Sequence, residues 1–168
     1  MNIIHSKLIQ KIQIAFKNVK LEDGVSLNMT EYKDSSGSIP EYKEKSLLDE
    51  RNDWSAIPDS TLEQFTVTFS FTDLKGFRFY IPAYMIWTIK NFDKSNSIIG
   101  NFTIYAIDPN HYIFDKTSFT DWFTREQITV MCSFLEFALQ QNNMLDERVA
   151  SQNLEEIRKL TNNQTSLT

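Results

Sequence analysis

Apolar residues recur at helical spacing near both ends of the chain. In residues 2–19 they return every three or four positions, which predicts an amphipathic helix. Residues 124–141 predict a largely buried helix, because polar side chains form only a narrow stripe there. Thr124 and Gln127 have the spacing of a capping box at its start. Residues 145–160 predict a third helix, which is amphipathic.

The central segment, residues 69–92, carries the densest run of aromatic side chains. Before it, apolar and polar residues alternate over 67–71, which predicts a short strand. Residues 67–81 are compatible with either a hairpin or a helix. Proline inside a helix costs about 3 kcal/mol but is tolerated in its first turn. Pro82 therefore predicts a break near Ile81 and a helix that starts at the proline.

Polar and irregular stretches separate these segments. Residues 21–42 predict a flexible loop, and residues 161–168 predict a disordered tail. Ser60, with Glu63 three positions later, predicts the cap of a short helix. Residues 98–107 are compatible with a second strand or with another buried segment.

Together these elements predict an α+β fold that is mainly α-helical. We expect residues 1–168 to form a single compact domain with a small β element at 67–71, which 98–107 would join if that segment is a strand. The length of 168 residues and the hydrophobic fraction of 41% are enough for an ordinary core.

The charge balance narrows the classes of partner. A net charge of −5 argues against a nucleic-acid binder and against docking on an anionic membrane, since both need a basic face. It is compatible with a basic protein partner. A single cysteine and the lack of a leader or an apolar span predict a cytoplasmic protein.

The residue types that usually perform catalysis are scarce. His5 and His111 have no predicted partner, and Cys132 lies in an apolar helix, where it is expected to act as a small hydrophobic residue. No phosphate-cradling glycine loop or nucleophile motif is present. The carboxylates within 49–53 lack the spacing of a calcium loop. We therefore predict no catalytic residue, no metal site and no cofactor, and we lean away from an enzyme.

Arg78 is the most informative single residue, because it lies between two phenylalanines in a segment with little room for charge. If buried, its guanidinium needs a carboxylate or several carbonyls as partners. One interpretation is a buried organiser of packing, which the burial argument favours. The other is a receptor for an anion or carboxylate, flanked by Tyr80 and Tyr84.

Aromatic side chains provide the other candidate binding site. Trp54, Tyr80, Tyr84 and Trp87 would suit an interaction hot spot if they were exposed, although aromatic residues in such runs are more often core.

Three segments resemble an uncharacterised bacterial family, catalogued as a domain of unknown function. They are Asp53-Trp54-x-x-Ile57-Pro58, the signature Gly76-Phe-Arg-Phe-Tyr-Ile-Pro-Ala-Tyr-Met85, and Phe123-Thr-x-Glu-Gln127. The chain departs from the family where a Ser or Thr followed by Pro-Glu usually starts a helix; here the residues are Thr72-Asp-Leu-Lys75, which keeps the hairpin alternative open. The resemblance implies a shared, mostly helical fold and no particular activity.

Two functional hypotheses follow. The first is a non-catalytic protein-binding module, with immunity or antitoxin-like neutralisation as one form, motivated by negative charge and abundant aromatic residues. The second is an enzyme or small-ligand-binding protein with an anion site at Arg78, which requires that side chain to face an open cavity.

Overall fold

The computed structural model describes residues 3–35 and 39–165. Within these ranges the chain forms nine α-helices and three single-turn 3-10 helices. The α-helices are α1 (Ile3–Ala15), α2 (Leu27–Ser35), α3 (Ile39–Ser46), α4 (Asp59–Gln64), α5 (Leu74–Asn91), α6 (Ile99–Ala106), α7 (Phe119–Trp122), α8 (Arg125–Ala138) and α9 (Glu147–Thr165). The 3-10 turns are Trp54–Ala56, Thr68–Ser70 and Tyr112–Phe114.

Helix α5 lies at the centre of this arrangement. Every residue from Phe79 to Ile89 is buried, so the helix is covered around its circumference. It packs against α1, α4 and α6, while α8 packs against α1 and α9. These contacts join the helices around one hydrophobic core, and the result is a single helical domain.

The predicted break near Ile81 is wrong, because α5 runs without interruption through Pro82. Asp73 caps the start of the helix by accepting the N–H of Gly76 at 2.8 Å. Burial of the apolar residues on both sides of Pro82 outweighs the proline penalty of about 3 kcal/mol. Pro82 still has no N–H to donate to the carbonyl of Arg78, four residues earlier. The hairpin alternative for 67–81 is also excluded.

The small β element is wrong as well, since no residue in the two described ranges lies in a strand. A 3-10 turn, Thr68–Ser70, replaces the strand predicted at 67–71, and of the two alternatives for 98–107 the structure has the buried segment, helix α6, and not the strand. In both segments a threonine hydroxyl donates a hydrogen bond to a backbone carbonyl three or four residues earlier in the chain. Thr68 donates to the Phe65 carbonyl at 2.8 Å, and Thr103 donates to the Ile99 carbonyl at 2.8 Å. Such bonds let β-branched residues occupy helical turns when no neighbouring strand is available.

Regular structure also occupies segments predicted to be irregular. Helix α2 lies within 21–42, and its Asn28 binds the Asp49 carboxylate through its backbone N–H at 3.0 Å and its side-chain amide at 2.7 Å. Residues 36–38, part of the predicted loop tip, lie outside the described residues. Helix α9 reaches Thr165, beyond the start of the predicted tail, and 166–168 also lie outside the described residues.

Helix starts show which sequence signals are reliable. The predicted capping box of Thr124 and Gln127 is confirmed, with both reciprocal bonds present at the start of α8. The predicted cap at Ser60 is wrong, because α4 begins at Asp59 with Pro58 at the N-cap position and no side-chain cap. Nowhere in the described ranges is a helix both long enough and apolar enough to cross a membrane.

Candidate functional site

An open cleft of about 340 Å³ lies where the C-terminal end of α1 meets the first turns of α5. We call it the Arg78 cleft. Four cationic side chains line it: Lys17, Lys20, Lys75 and Arg78. Glu22 is the one carboxylate among its lining residues. The cleft therefore concentrates positive charge on a protein whose net charge is −5.

Among the described residues, none is a hydrogen-bond or ion-pair partner of the Arg78 guanidinium. It is partly exposed, but its Nε is fully buried and has no hydrogen-bond partner among the described residues. No described carboxylate forms an ion pair with it. Because the side chain is partly exposed and no described carboxylate neutralises it, its charge is available to an anion that enters the cleft.

Lys75 differs from the other cations because acidic residues of the α1–α2 connection hold it. Its Nζ lies 2.9 Å from the Glu22 carboxylate and also binds Asp23. The hydrogen bonds that Lys75 donates to Asp23 and Glu22 raise the pKa of Lys75, and Lys75 lowers the pKa of Asp23. Lys17 and Lys20 have no such ion pair within the described ranges.

The floor of the cleft is held by hydrogen bonds to the end of α1. The buried Gln127 side chain donates to the Ala15 carbonyl at 3.1 Å and accepts the Thr124 N–H at 3.1 Å. The Trp54 indole donates to the Phe16 carbonyl at 2.8 Å. The Gln127 bond fixes the end of α1 against α8, and the Trp54 bond fixes it against the 3-10 turn Trp54–Ala56. The cleft thus has a rigid base.

Trp122, the last residue of α7, forms an aromatic part of the cleft wall. It is partly exposed, whereas Trp54 and Trp87 are 3% and 1% exposed. The indole N–H groups of those two tryptophans bind Phe16 and Glu63. Trp122 has no hydrogen-bond partner among the described residues. Its ring and its donor are both available at the cleft.

The four aromatic residues predicted with Arg78 are buried instead. Trp54, Tyr80, Tyr84 and Trp87 are each at most 3% exposed and belong to the core. Burial raises the pKa of the Tyr80 and Tyr84 phenols. Tyr84 donates to the Phe65 carbonyl at 2.6 Å and lies 3.0 Å from the Thr68 hydroxyl. These residues do not lie together with Arg78 at an accessible surface.

Two other grooves have polar groups that the protein already uses. In a groove of about 490 Å³, Asp49 binds Asn28 and Glu50 accepts three backbone N–H groups. In one of about 520 Å³, Asp53 accepts both the N–H and the hydroxyl of Ser55. Among the described residues, no three His, Cys, Asp or Glu side chains are placed to hold a metal ion.

Burial shifts the pKa values of His111 and Cys132 in the direction that favours the neutral form of each side chain. Burial lowers the pKa of His111, and its Nδ1 accepts the Ile113 N–H at 3.3 Å. Burial raises the pKa of Cys132, which disfavours the thiolate. Both lie outside the Arg78 cleft.

Sequence reasoning singled out Arg78 but missed the other residues of the cleft. In the sequence, Lys17 and Lys20 have the pattern of solvent-exposed lysines near a helix end. Trp122 belongs to a segment with no predicted element. One available signal was the cluster of lysines directly after the last apolar position of α1. Its proximity to Arg78 depends on long-range packing, which the sequence pattern does not express.

Comparison with known proteins identifies a family. No curated protein and no solved structure matches the chain. A family model, described as a family of unknown function, matches residues 4–160. The match covers nearly the whole chain, including α1, α5 and every residue of the Arg78 cleft. The chain belongs to the DUF6714 family, a family of unknown function.

Proposed function

We propose that this protein binds a small anionic ligand in the Arg78 cleft. The observation that carries the proposal is the guanidinium of Arg78, whose buried Nε lacks an acceptor within the described ranges while the residue lines an open cleft. A structural organiser would use its donors on protein carbonyls or carboxylates. An anion in the cleft is attracted by the positive charge of this partly exposed side chain, which no described carboxylate neutralises.

The charge distribution supports the same function. Lys17, Lys20 and Lys75 accompany Arg78, and Glu22 is the only carboxylate in the lining. On an acidic protein, such a local positive potential attracts small anions while the remaining surface repels large polyanions. The volume of the cleft, about 340 Å³, lies in the range of pockets that bind small molecules.

The burial of the aromatic residues weighs against the first functional hypothesis in its original form. The four aromatic side chains proposed for it are buried in the core, so they offer no exposed hot spot. They are Trp54, Tyr80, Tyr84 and Trp87. A protein-binding role, a basic partner, a neutralising activity, a bacterial origin and a cytoplasmic location stay predictions. So does an enzymatic use of the bound anion.

Isothermal titration with inorganic phosphate, sulfate and citrate tests the proposal. At least one should bind the wild type, and Arg78→Gln should weaken that binding by about tenfold or more, because it removes a charge-assisted donor. Lys116→Gln is the matched control, since it removes one exposed positive charge outside the cleft. Equal affinities for Arg78→Gln and Lys116→Gln would refute anion binding at this site.

Tryptophan fluorescence offers a second test that needs no particular ligand. Trp122 is the one tryptophan that is not buried, so external quenchers report on the cleft. We expect iodide to quench more strongly than caesium in the wild type, and Arg78→Gln to reduce that preference. If caesium quenches as well as iodide, the cleft has no useful positive potential.

A further inference from the structure

We propose, on the basis of the anion site proposed above, that its ligand is a phosphate ester carrying an aromatic ring, of the size of a single nucleotide. The phosphate would bind Arg78 with Lys17 and Lys20, and the ring would contact Trp122. Two separate features of the cleft support the two parts of this ligand.

The number of free cations favours phosphate over carboxylate. A carboxylate carries one charge and is satisfied by a single arginine that binds both its oxygens. A phosphate monoester carries about −1.5 to −2 at pH 7 and presents three acceptor oxygens. Lys17, Lys20 and Arg78 all line the cleft without a carboxylate partner among the described residues. Their combined charge fits the phosphate better.

Lys75 already has protein partners, so it is a less available ligand. The Glu22 and Asp23 carboxylates hold its Nζ at the edge of the cleft. This ion-pair cluster also places Glu22 in the lining, where it repels an anion that binds too close to it. The phosphate position is therefore expected nearer Arg78 than Lys75.

Trp122 supports the aromatic part of the ligand. Its ring lies partly exposed in the cleft wall, and its indole N–H has no protein partner within the described ranges. Trp54 and Trp87, by contrast, are buried with both indole donors bound. An exposed aromatic side chain beside cations suits a phosphate ligand that carries its own aromatic ring. Every nucleobase has a π-face that can stack on such a side chain. Ile14, which is 68% exposed, adds apolar surface to the same cleft.

The size of the cleft and the net charge of the protein favour a single nucleotide over a nucleic-acid strand. The cleft of about 340 Å³ adjoins the groove of about 520 Å³, with which it shares Ile14 and Lys17, and the described residues of that groove add the acidic Asp53 and no further cation. A strand would also face the repulsion of a protein with net charge −5.

Titration calorimetry with AMP, ribose 5-phosphate, adenosine, citrate and a single-stranded adenine tetranucleotide tests this inference. We expect AMP to bind about tenfold more tightly than ribose 5-phosphate, because stacking adds to phosphate binding. Adenosine should bind more weakly than either. Trp122→Leu should remove most of the advantage of AMP, and Trp122→Phe, which keeps an aromatic ring and guards against a folding defect, should retain it. Lys116→Gln should match the wild type.

The remaining outcomes separate this inference from the proposed anion site. Equal binding of AMP and ribose 5-phosphate, with both weakened by Arg78→Gln, overturns the aromatic part alone. Tighter binding of citrate than of AMP, again dependent on Arg78, overturns the phosphate ester but keeps the anion site. A tetranucleotide that binds more than tenfold tighter than AMP assigns the cleft to nucleic acid and overturns the single-nucleotide ligand. Binding of no probe, or binding that ignores Arg78→Gln, overturns the anion site as well.

Discussion

The two halves of helix α5 differ in how their polar side-chain atoms are satisfied. In the C-terminal half, Tyr84 and Trp87 are buried and their polar atoms bind Phe65 and Glu63. In the N-terminal half, Arg78 lines an open cleft with a buried Nε that no described residue accepts from. Aromatic and polar groups that the protein itself satisfies stabilise the fold. Arg78 is the candidate for ligand binding because it also lines the open cleft, whereas the buried Tyr80 in the same half of the helix does not.

The largest expected difference is between a core tryptophan and the tryptophan of the cleft. Trp54→Ala should lower the free energy of unfolding by about 3–5 kcal/mol, because it leaves a cavity and removes the indole hydrogen bond to the Phe16 carbonyl. Trp122→Ala should cost only about 1–2 kcal/mol, since that side chain is partly exposed. Urea unfolding followed by far-UV circular dichroism measures both. Similar losses would show that Trp122 is as structural as Trp54.

Glycine substitutions test how closely the start of α5 is packed. A Cβ at Gly76 would lie 2.0 Å from the Thr72 hydroxyl and 2.7 Å from the Val25 carbonyl. Gly76→Ala should therefore lower the free energy of unfolding by about 1–3 kcal/mol through overpacking. Gly100→Ala is the matched control in α6, where the closest atom is the flexible Leu145 side chain at 2.7 Å. If the thermal shift of Gly76→Ala does not exceed that of Gly100→Ala, the start of α5 is more adaptable than its geometry indicates.

Removing one phenolic hydroxyl at a time compares the contribution of a buried hydrogen bond to stability with that of an exposed one. Tyr84→Phe leaves the buried Phe65 and Thr68 oxygens without this partner, and should cost about 1–2 kcal/mol. Tyr105→Phe loses an exposed bond to Asp146 and should change stability by about 0.5 kcal/mol or less. Both values come from denaturant titration. A larger effect at Tyr105 would contradict the distinction between the core and the surface.

The smallest expected effect concerns the acid dependence of stability at Glu50. Its carboxylate accepts the N–H groups of Arg51, Asn52 and Asp53, and these bonds lower its pKa. A pKa that is lower in the folded state adds stability above the unfolded-state pKa, and this stability is lost as pH falls through the folded value. Glu50→Gln should therefore flatten the loss of melting temperature between roughly pH 5 and 3.

Glu44→Gln provides the control for that pH dependence, because Glu44 is an exposed carboxylate of α3 without a described backbone N–H partner. Its melting-temperature profile should follow that of the wild type. If the two variants have the same profile, the three bonds to Glu50 do not contribute to acid sensitivity.

Particular elements show how far the sequence could predict this fold and site. The helices at both ends and the capping box of Thr124 and Gln127 follow from patterns within a few residues. The strand at 67–71 was a wrong prediction, because five alternating residues form a strand only if a partner strand lies beside them. Arg78 stood out by its apolar neighbours, but its exposure at a cleft depends on the end of α1.

The sequence alone determined that the chain is globular, rich in aromatic core residues, acidic, and without the cysteines needed for a disulfide. It also determined the helices whose periodicity and caps are local. Only the tertiary structure decided that α5 continues through Pro82, because burial on both sides outweighs the proline penalty. The tertiary structure also brought Lys17, Lys20 and Trp122 to Arg78. Those residues are far apart in sequence, and contacts at such separations arise from packing of the whole chain.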